Sequence, residues 1–259
     1  LNEGTDLERI TINGPPQPTG GYTLESSLAS LPEPNLESGT NTLTVPAYKW
    51  SSGCSPTSGS MIAGYYDRNG FPDLYTGSTN GGVMPLDNNG WGYWIDSCTS
   101  YQIYENPISA SHNGLDGRVT LGHVDDYWTC YGSYADDPYI TGPDPHDHDS
   151  IADFMYTSRS EYGIPDGATR FYINKNQYPR LCSTLEGLDD GTVGLKHFFE
   201  SRGYTTTDCY VQKTDNKYAG GFSFDDFKAE IDGGHPVMIH VEGHTMVGVG
   251  DQDPATVYL

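Results

Sequence analysis

Basic residues are scarce in this sequence, which has 13 Lys and Arg against 35 Asp and Glu and a formal charge of −22 at pH 7. Nucleic acids and anionic membrane surfaces attract cationic proteins, so this charge argues against both as partners. A run of about 18 apolar residues is also lacking, and no membrane-spanning helix is predicted. An acidic surface favours a basic or neutral substrate, and nothing in the composition fixes the oligomeric state.

A starting methionine and a secretory signal segment are absent, as expected for a processed or trimmed product. With 32 glycines and 20 tyrosines beside so few basic residues, the composition is typical of an extracellular, loop-rich protein. We therefore expect the protein to be secreted.

Cysteines are few and odd in number, with five in the chain. In an oxidising compartment four can pair, in three possible connectivities, and one remains. We expect Cys98–Cys130 and Cys182–Cys209, because each pair closes a local loop, and Cys54 as the free thiol. The alternative is that all five are reduced.

The chain is organised around residues 50–70, WSSGCSPTSGSMIAGYYDRNG. Pro56 suits the first turn of a helix, so Cys54 is predicted at or just before a helix N-terminus. The unpaired N–H groups and the helix dipole there favour a thiolate, which is the nucleophilic form of cysteine. A small buried hydrophobe or half of a disulfide is the other interpretation of Cys54. The predicted apolar face of this helix contains Met61, Ile62, Tyr65 and Tyr66.

A candidate base lies in HPVMIHVEGHTMVGVG (235–250). Residues 236–241 and 245–249 read as two strands, with Glu242 and Gly243 as the turn between them. His244 is predicted where the second strand begins. A lone histidine is more often structural, but with a helix-terminal cysteine far upstream it fits a Cys–His pair.

GCSPT before a small-residue helix, together with PVMIHVEGHTMVGVG, resembles the papain-like cysteine peptidases. The secreted bacterial form of the bacteriocin-leader-peptidase-like branch is the most similar, and GHVDDYW (122–128) and IADFMYTS (151–158) also resemble that group. The resemblance covers about residues 45–259. It implies that Cys54 is the nucleophile and His244 the general base.

Two features depart from the family pattern. The family has a glutamine about six residues before the cysteine, which helps to form the oxyanion hole, and Tyr48 stands there in this chain. The Cys54 backbone N–H remains a donor, with the Trp50 indole, or a group of Ser51 or Ser52, as the second candidate.

The second departure concerns the residue that orients the imidazole, an Asn or Asp on a following strand in the family. TVYL (256–259) reads as that strand cut short, so we expect the third residue beyond Leu259. Asp251 and Asp253 are the carboxylates nearby, and both read as turn residues in DQDP.

An acidic loop, PDPHDHDS (143–150), is the main alternative site. Such a loop could hold structural calcium or, through its histidines, zinc. Neither a calcium-loop motif nor HExxH is present, and Asp149 or Ser150 also suits the N-cap of a helix over 151–158. The candidate ligands are Asp144, His146, Asp147, His148 and Asp149.

Residues 1–44 are rich in Gly, Pro and Ser and read as an extended arm, either a linker or a propeptide remnant. Residues 45–259 are predicted to form one papain-like peptidase domain. We expect strands at 169–174 and 205–213 and helices at 191–204 and 223–232. An α+β fold follows, with the nucleophile on an N-terminal helix and the histidine on a C-terminal antiparallel sheet.

The sequence-based interpretation is a secreted cysteine peptidase that cleaves peptide bonds through a Cys54 thioester and requires no cofactor. One alternative is a non-catalytic peptide-binding or cell-surface module of the same fold. The other is a metal-dependent hydrolase that uses residues 144–149 with His123 or His112. Fold alone cannot separate these, because function belongs to the site.

Overall fold

A mixed α+β architecture of helices and small antiparallel sheets is seen in the computed structural model. The helices in the described residues are α1 (Cys54–Arg68), α2 (Ile151–Phe154), α3 (Gly191–Ser201) and α4 (Phe224–Asp232). The structure describes residues 6–13, 40–97, 100–111, 117–118, 148–252 and 256–259.

The strands pair locally or with a distant segment rather than in one large sheet. The strands are β1 (Leu7–Asn13), β2 (Thr40–Thr42), β3 (Tyr93–Ile95), β4 (Gln102–Tyr104), β5 (Ala168–Asn174), β6 (Arg180–Leu181), β7 (Tyr210–Val211), β8 (Val237–Val241), β9 (His244–Gly248), β10 (Gly250–Gln252) and β11 (Thr256–Tyr258). Four pairs of these described strands, β3–β4, β6–β7, β8–β9 and β10–β11, join neighbours in sequence, while the pairs β1–β5 and β2–β10 bring the N-terminal segment onto later strands.

Helix α1 is buried along most of its length, including small polar residues. Ile62 is buried, and Met61 and Tyr66 pack against the core as the apolar pattern predicts. Ser60 is also buried, and its hydroxyl is satisfied there: it donates to the Thr57 carbonyl over 2.7 Å and accepts from a side-chain amide. The core cluster around the helix contains Ile12, Tyr48, Cys54, Ala63, Leu74, Tyr75, Met84, Ile108, Ile151, Met155, Phe171 and Phe198.

Two parts of the predicted N-terminal arm belong to the fold. Strand β1 pairs antiparallel with β5 along its whole length, and Ile12 is 1% exposed in the core. Strand β2 pairs with β10. Residues 14–39, which carry most of the Pro- and Gly-rich sequence, lie outside the described residues.

Helix α2 begins at a capping box. Ser150 accepts from the Asp153 N–H, and the Asp153 carboxylate accepts from the Ser150 N–H, as the sequence-based N-cap prediction requires. The predicted helix over 151–158 is wrong in length, since it ends at Phe154, and Tyr156 and Ser158 take left-handed backbone angles. Helix α2 then packs against α3.

The second half of the chain follows the sequence pattern closely, with one exception. Strand β5 and helix α3 match their predicted positions, and α4 begins at Ser223 in a capping box with Asp226. The strand predicted over 205–213 is wrong in extent, because only Tyr210 and Val211 pair with β6.

Cys182 and Cys209 form a disulfide, with Cα atoms 5.5 Å apart, which confirms that predicted pair. The Cys182 N–H donates a hydrogen bond to the Cys209 carbonyl, so the disulfide lies at the β6–β7 pair. Cys98 and Cys130 lie outside the described residues. Within the part of the chain that the structure describes, no helix has the length and apolar character needed to cross a membrane.

Candidate active site

Cys54 is the first residue of helix α1, and its free thiol is buried with 3% of the residue exposed. Gly53 is the N-cap of the helix, and the first main-chain bond of the helix runs from the Thr57 N–H to the Gly53 carbonyl. The N–H groups of Cys54 and Ser55 therefore have no partner within the helix. Such groups stabilise negative charge at the position of the Cys54 side chain.

The loop before Cys54 is fixed by hydroxyl groups. The Thr57 hydroxyl donates to the carbonyls of Ser51 and Gly53 and accepts from the Ser51 N–H over 3.0 Å. The Ser52 and Ser109 hydroxyls lie 3.1 Å apart, and Ser109 also bonds to the Ser51 carbonyl. These five residues form one hydrogen-bond network that holds the approach to the cysteine in one conformation.

Gly53 is required by the close approach of a second loop. Its backbone has φ of 154°, in the range that favours glycine, and a Cβ there would lie 2.7 Å from the Gly167 carbonyl oxygen. The loop that leads into β5 therefore rests directly on the residue before Cys54.

The β8–β9 hairpin presents His244 at the first position of β9, as predicted. The turn consists of Glu242 and Gly243, and Gly243 takes a left-handed φ of 72°. His244 is half buried, and this burial lowers the pKa of its imidazole. A neutral imidazole is the form that can accept a proton from a thiol.

Helix α1 and strand β9 meet through hydrogen bonds between the neighbours of the two candidate residues. The hydroxyl of Ser55, which follows Cys54, lies 2.8 Å from the hydroxyl of Thr245, which follows His244. One turn further along the helix, Ser58 donates to the Thr245 carbonyl over 3.1 Å. The fold therefore brings together the two segments that carry Cys54 and His244. Ser55 and Thr245, which form the bond between these segments, are 190 residues apart in sequence.

His240 is the residue that sequence reasoning missed. It pairs with Thr245 across the hairpin, its Nδ1 lies 3.0 Å from the Thr245 hydroxyl, and its ring packs in a tilted orientation against Phe171 with centroids 4.2 Å apart. Burial lowers the pKa of His240 to about 4, so it is neutral at pH 7. The signal available in the sequence was its position, two residues before the Glu242–Gly243 turn and so opposite Thr245.

The oxyanion candidates differ in their surroundings. Tyr48 is buried, and its hydroxyl donates to the Pro85 carbonyl over 2.5 Å, so this hydroxyl is already bonded within the core. Burial raises the pKa of Tyr48. The Ser51 N–H and the Ser52 hydroxyl already have the partners described above. Trp50 is half buried and packs against both the main core and the Ala110–Ala152 cluster.

The orienting residue was predicted to lie beyond the chain, with Asp251 and Asp253 as turn residues. Asp251 is instead in the middle of β10, between β2 and β11, and is 2% exposed, so the turn prediction is wrong for it. Asp253 lies outside the described residues. The strand predicted from TVYL is present as β11.

The acidic loop is described only at its end, since Asp144, His146 and Asp147 lie outside the described residues, as do His112 and His123. The described end is tied to the fold. The His148 ring contacts two aromatic rings, and the Asp149 carbonyl accepts from Arg202 over 2.9 Å. In the described ranges, no group of three or more His, Cys, Asp or Glu side chains is placed to hold a metal ion.

In comparisons with known proteins, no protein-family model matches the sequence, and no curated protein or solved structure shows significant similarity to the chain.

Proposed function

We propose that the protein is a secreted, papain-like cysteine peptidase in which Cys54 is the nucleophile and His244 the general base. One observation carries the proposal. A free cysteine at a helix N-terminus is bonded, through its next residue, to the residue that follows a half-buried histidine. A cysteine at a helix N-terminus with a histidine close by is the arrangement in which a sulfur nucleophile can be activated, so this contact between their neighbours supports the proposal.

In the proposed reaction His244 takes the proton of the Cys54 thiol, and the thiolate sulfur attacks the carbonyl carbon of a peptide bond. The oxyanion that forms is stabilised by the unpaired N–H groups at the start of α1, with the Trp50 indole N–H as a further donor. The imidazolium then protonates the leaving amine as the C–N bond breaks. Water, deprotonated by His244, attacks the thioester and releases the acid, and the thiol regains its proton.

The acidity of the chain favours peptides that are basic or neutral around the cleaved bond, and neither a nucleic acid nor a membrane is expected as a partner. The reaction requires no cofactor. Structural calcium at residues 144–149 is a separate proposal, which calcium-dependent stability would test. The Cys182–Cys209 disulfide supports an extracellular location.

The proposal is tested by labelling the unreduced protein with iodoacetamide near pH 6, with peptide mass spectrometry as the readout. We expect fast labelling at Cys54 that is lost in His244→Ala. The matched control is His235→Ala, since His235 is exposed and pairs with Glu230 at the end of α4. Slow labelling in the wild type, or equal labelling in both variants, would remove the basis for the Cys–His pair.

Turnover is tested on a mixed peptide library at pH 5–8, with cleavage products identified by mass spectrometry. Cys54→Ala is expected to abolish cleavage while its urea unfolding curve stays close to that of the wild type, because the thiol contributes only a small side chain to the core. Cleavage that persists in this variant would exclude the thioester mechanism.

A non-catalytic peptide-binding module of the same fold is the second candidate, and the engagement of Tyr48 in the core is the observation that favours it. It predicts an unreactive Cys54 and peptides that bind without being cleaved. The remaining class, a metal-dependent hydrolase, predicts activity that EDTA removes and iodoacetamide leaves intact.

A further inference from the structure

A chain of hydrogen-bonded side chains connects β8, β9 and α1. The His240 Nδ1 lies 3.0 Å from the Thr245 hydroxyl, which lies 2.8 Å from the Ser55 hydroxyl. The Thr245 carbonyl also accepts from the Ser58 hydroxyl over 3.1 Å. The Thr245 side chain is therefore bonded to β8 and to α1, and the Thr245 carbonyl makes a second bond to α1.

The hydroxyl groups in this chain of hydrogen bonds are shielded from water, so each one bonds to a specific partner in the protein. Ser55, Ser58 and Thr245 are at most 3% exposed, so water does not compete for these hydroxyls. A hydroxyl has one proton to donate and two lone pairs that accept, so Thr245 can serve His240 and Ser55 at once. A neutral His240 supports either direction of donation, according to which ring nitrogen carries the proton.

The chain of hydrogen bonds lies next to the candidate site in sequence. Ser55 directly follows Cys54, and Thr245 directly follows His244. A shift of α1 along β9 would break the Ser55–Thr245 and Ser58–Thr245 bonds together. The same shift would change the separation of the Cys54 thiol and the His244 imidazole.

We propose that Thr245 is a positioning residue whose hydroxyl, held by His240, fixes the N-terminus of α1 against the start of β9 and so sets the geometry of the Cys54–His244 pair. The inference rests on the proposed function, because it assumes that this pair reacts. Errors of about 1 Å in such geometry cost up to about a hundredfold in rate.

The test compares Thr245→Val, which keeps the shape and removes the hydroxyl, with Thr245→Ser, which keeps the hydroxyl. The measurement is the rate constant of Cys54 alkylation by iodoacetamide on the full chain from pH 4 to 9. We expect Thr245→Val to lose about tenfold or more of the rate near pH 6 and to shift the pH midpoint upward. Thr245→Ser is expected to restore the wild-type profile.

A purely structural role would lower the unfolding midpoint without moving this pH profile. The His244→Ala background separates the two further. There, Thr245→Val should have no additional effect on alkylation, because residues that act as a unit are not additive. An equal loss in both backgrounds would overturn the positioning role.

The remaining outcomes are distinct. If the wild-type rate does not depend on His244, the proposed function fails and the inference with it. If the rate depends on His244 but Thr245→Val reacts as fast as the wild type with an unchanged midpoint, only the positioning role fails. Should Thr245→Val not fold, Ser55→Ala removes the same bond from the helix side and is held to the same expectation, with Ser60→Ala, elsewhere on α1, as its control.

Discussion

Acid should destabilise this protein through His240. Burial lowers the pKa of the folded-state imidazole from 6.5 to about 4, so the unfolded chain binds a proton first as pH falls. Stability that is present above about pH 6.5 is then lost as pH drops towards 4. For these two pKa values the linkage relation gives a loss of about 2 kcal/mol between pH 7 and 5, and about 3 kcal/mol by pH 4.

The assay is urea unfolding at pH 7, 6 and 5 with the disulfide intact, on the wild type and on His240→Gln. The amide keeps a hydrogen-bonding group near Thr245 and does not titrate. Burial raises the pKa of Asp67, Asp190 and Glu105, the last to about 7, and these groups favour the folded state at low pH. Comparing the two proteins cancels their contribution.

We expect the wild type to lose about 2 kcal/mol more than His240→Gln between pH 7 and 5. If both proteins lose the same free energy over this interval, His240 does not remain neutral in the folded state, and the assignment of a neutral ring to the hydrogen-bond chain is refuted.

Other predictions test the supports of the site. Gly53→Ala should destabilise the protein by about 1–3 kcal/mol and slow alkylation of Cys54, since its Cβ meets the Gly167 carbonyl. Gly163→Ala, at another positive φ but with open space around the added Cβ, should leave alkylation unchanged. Gly194→Ala should cost about 1–3 kcal/mol in urea unfolding, because a Cβ there would overlap the Phe154 backbone. Replacing Cys182 and Cys209 together by serine should cost about 3–4 kcal/mol, from a crosslink that spans 27 residues, and leave Cys54 alkylation intact; no change in the urea midpoint would show that the bridge does not form in solution.

Short-range signals in the sequence located the candidate residues. Pro56 in the first turn predicted the start of α1 at Cys54, and the apolar runs around Glu242 and Gly243 predicted the hairpin with His244 at its second strand. These features depend on a few adjacent residues and their backbone preferences, so they can be deduced without the fold. The cap at Ser223 followed for the same reason, and the Cys182–Cys209 pair followed because it closes a local loop.

Predictions that depended on distant partners failed or could not be made. The strand expected over 205–213 is nearly absent, because only two of its residues meet β6. Asp251 read as a turn residue, but pairing with β2 and β11 makes it part of a strand. In the N-terminal arm, β1 is a strand that contributes to the core because it pairs with β5.

The sequence by itself determined which residue begins α1, which begins β9, and which cysteine stays free among those described. Only the tertiary structure decided that Ser55 and Thr245 meet, that the His240 ring packs against Phe171, and that the loop at Gly167 approaches Gly53. Capping and turn preferences act over three or four residues and are written in the local sequence. Contacts between segments far apart in sequence depend on how the whole core packs, which local patterns do not encode.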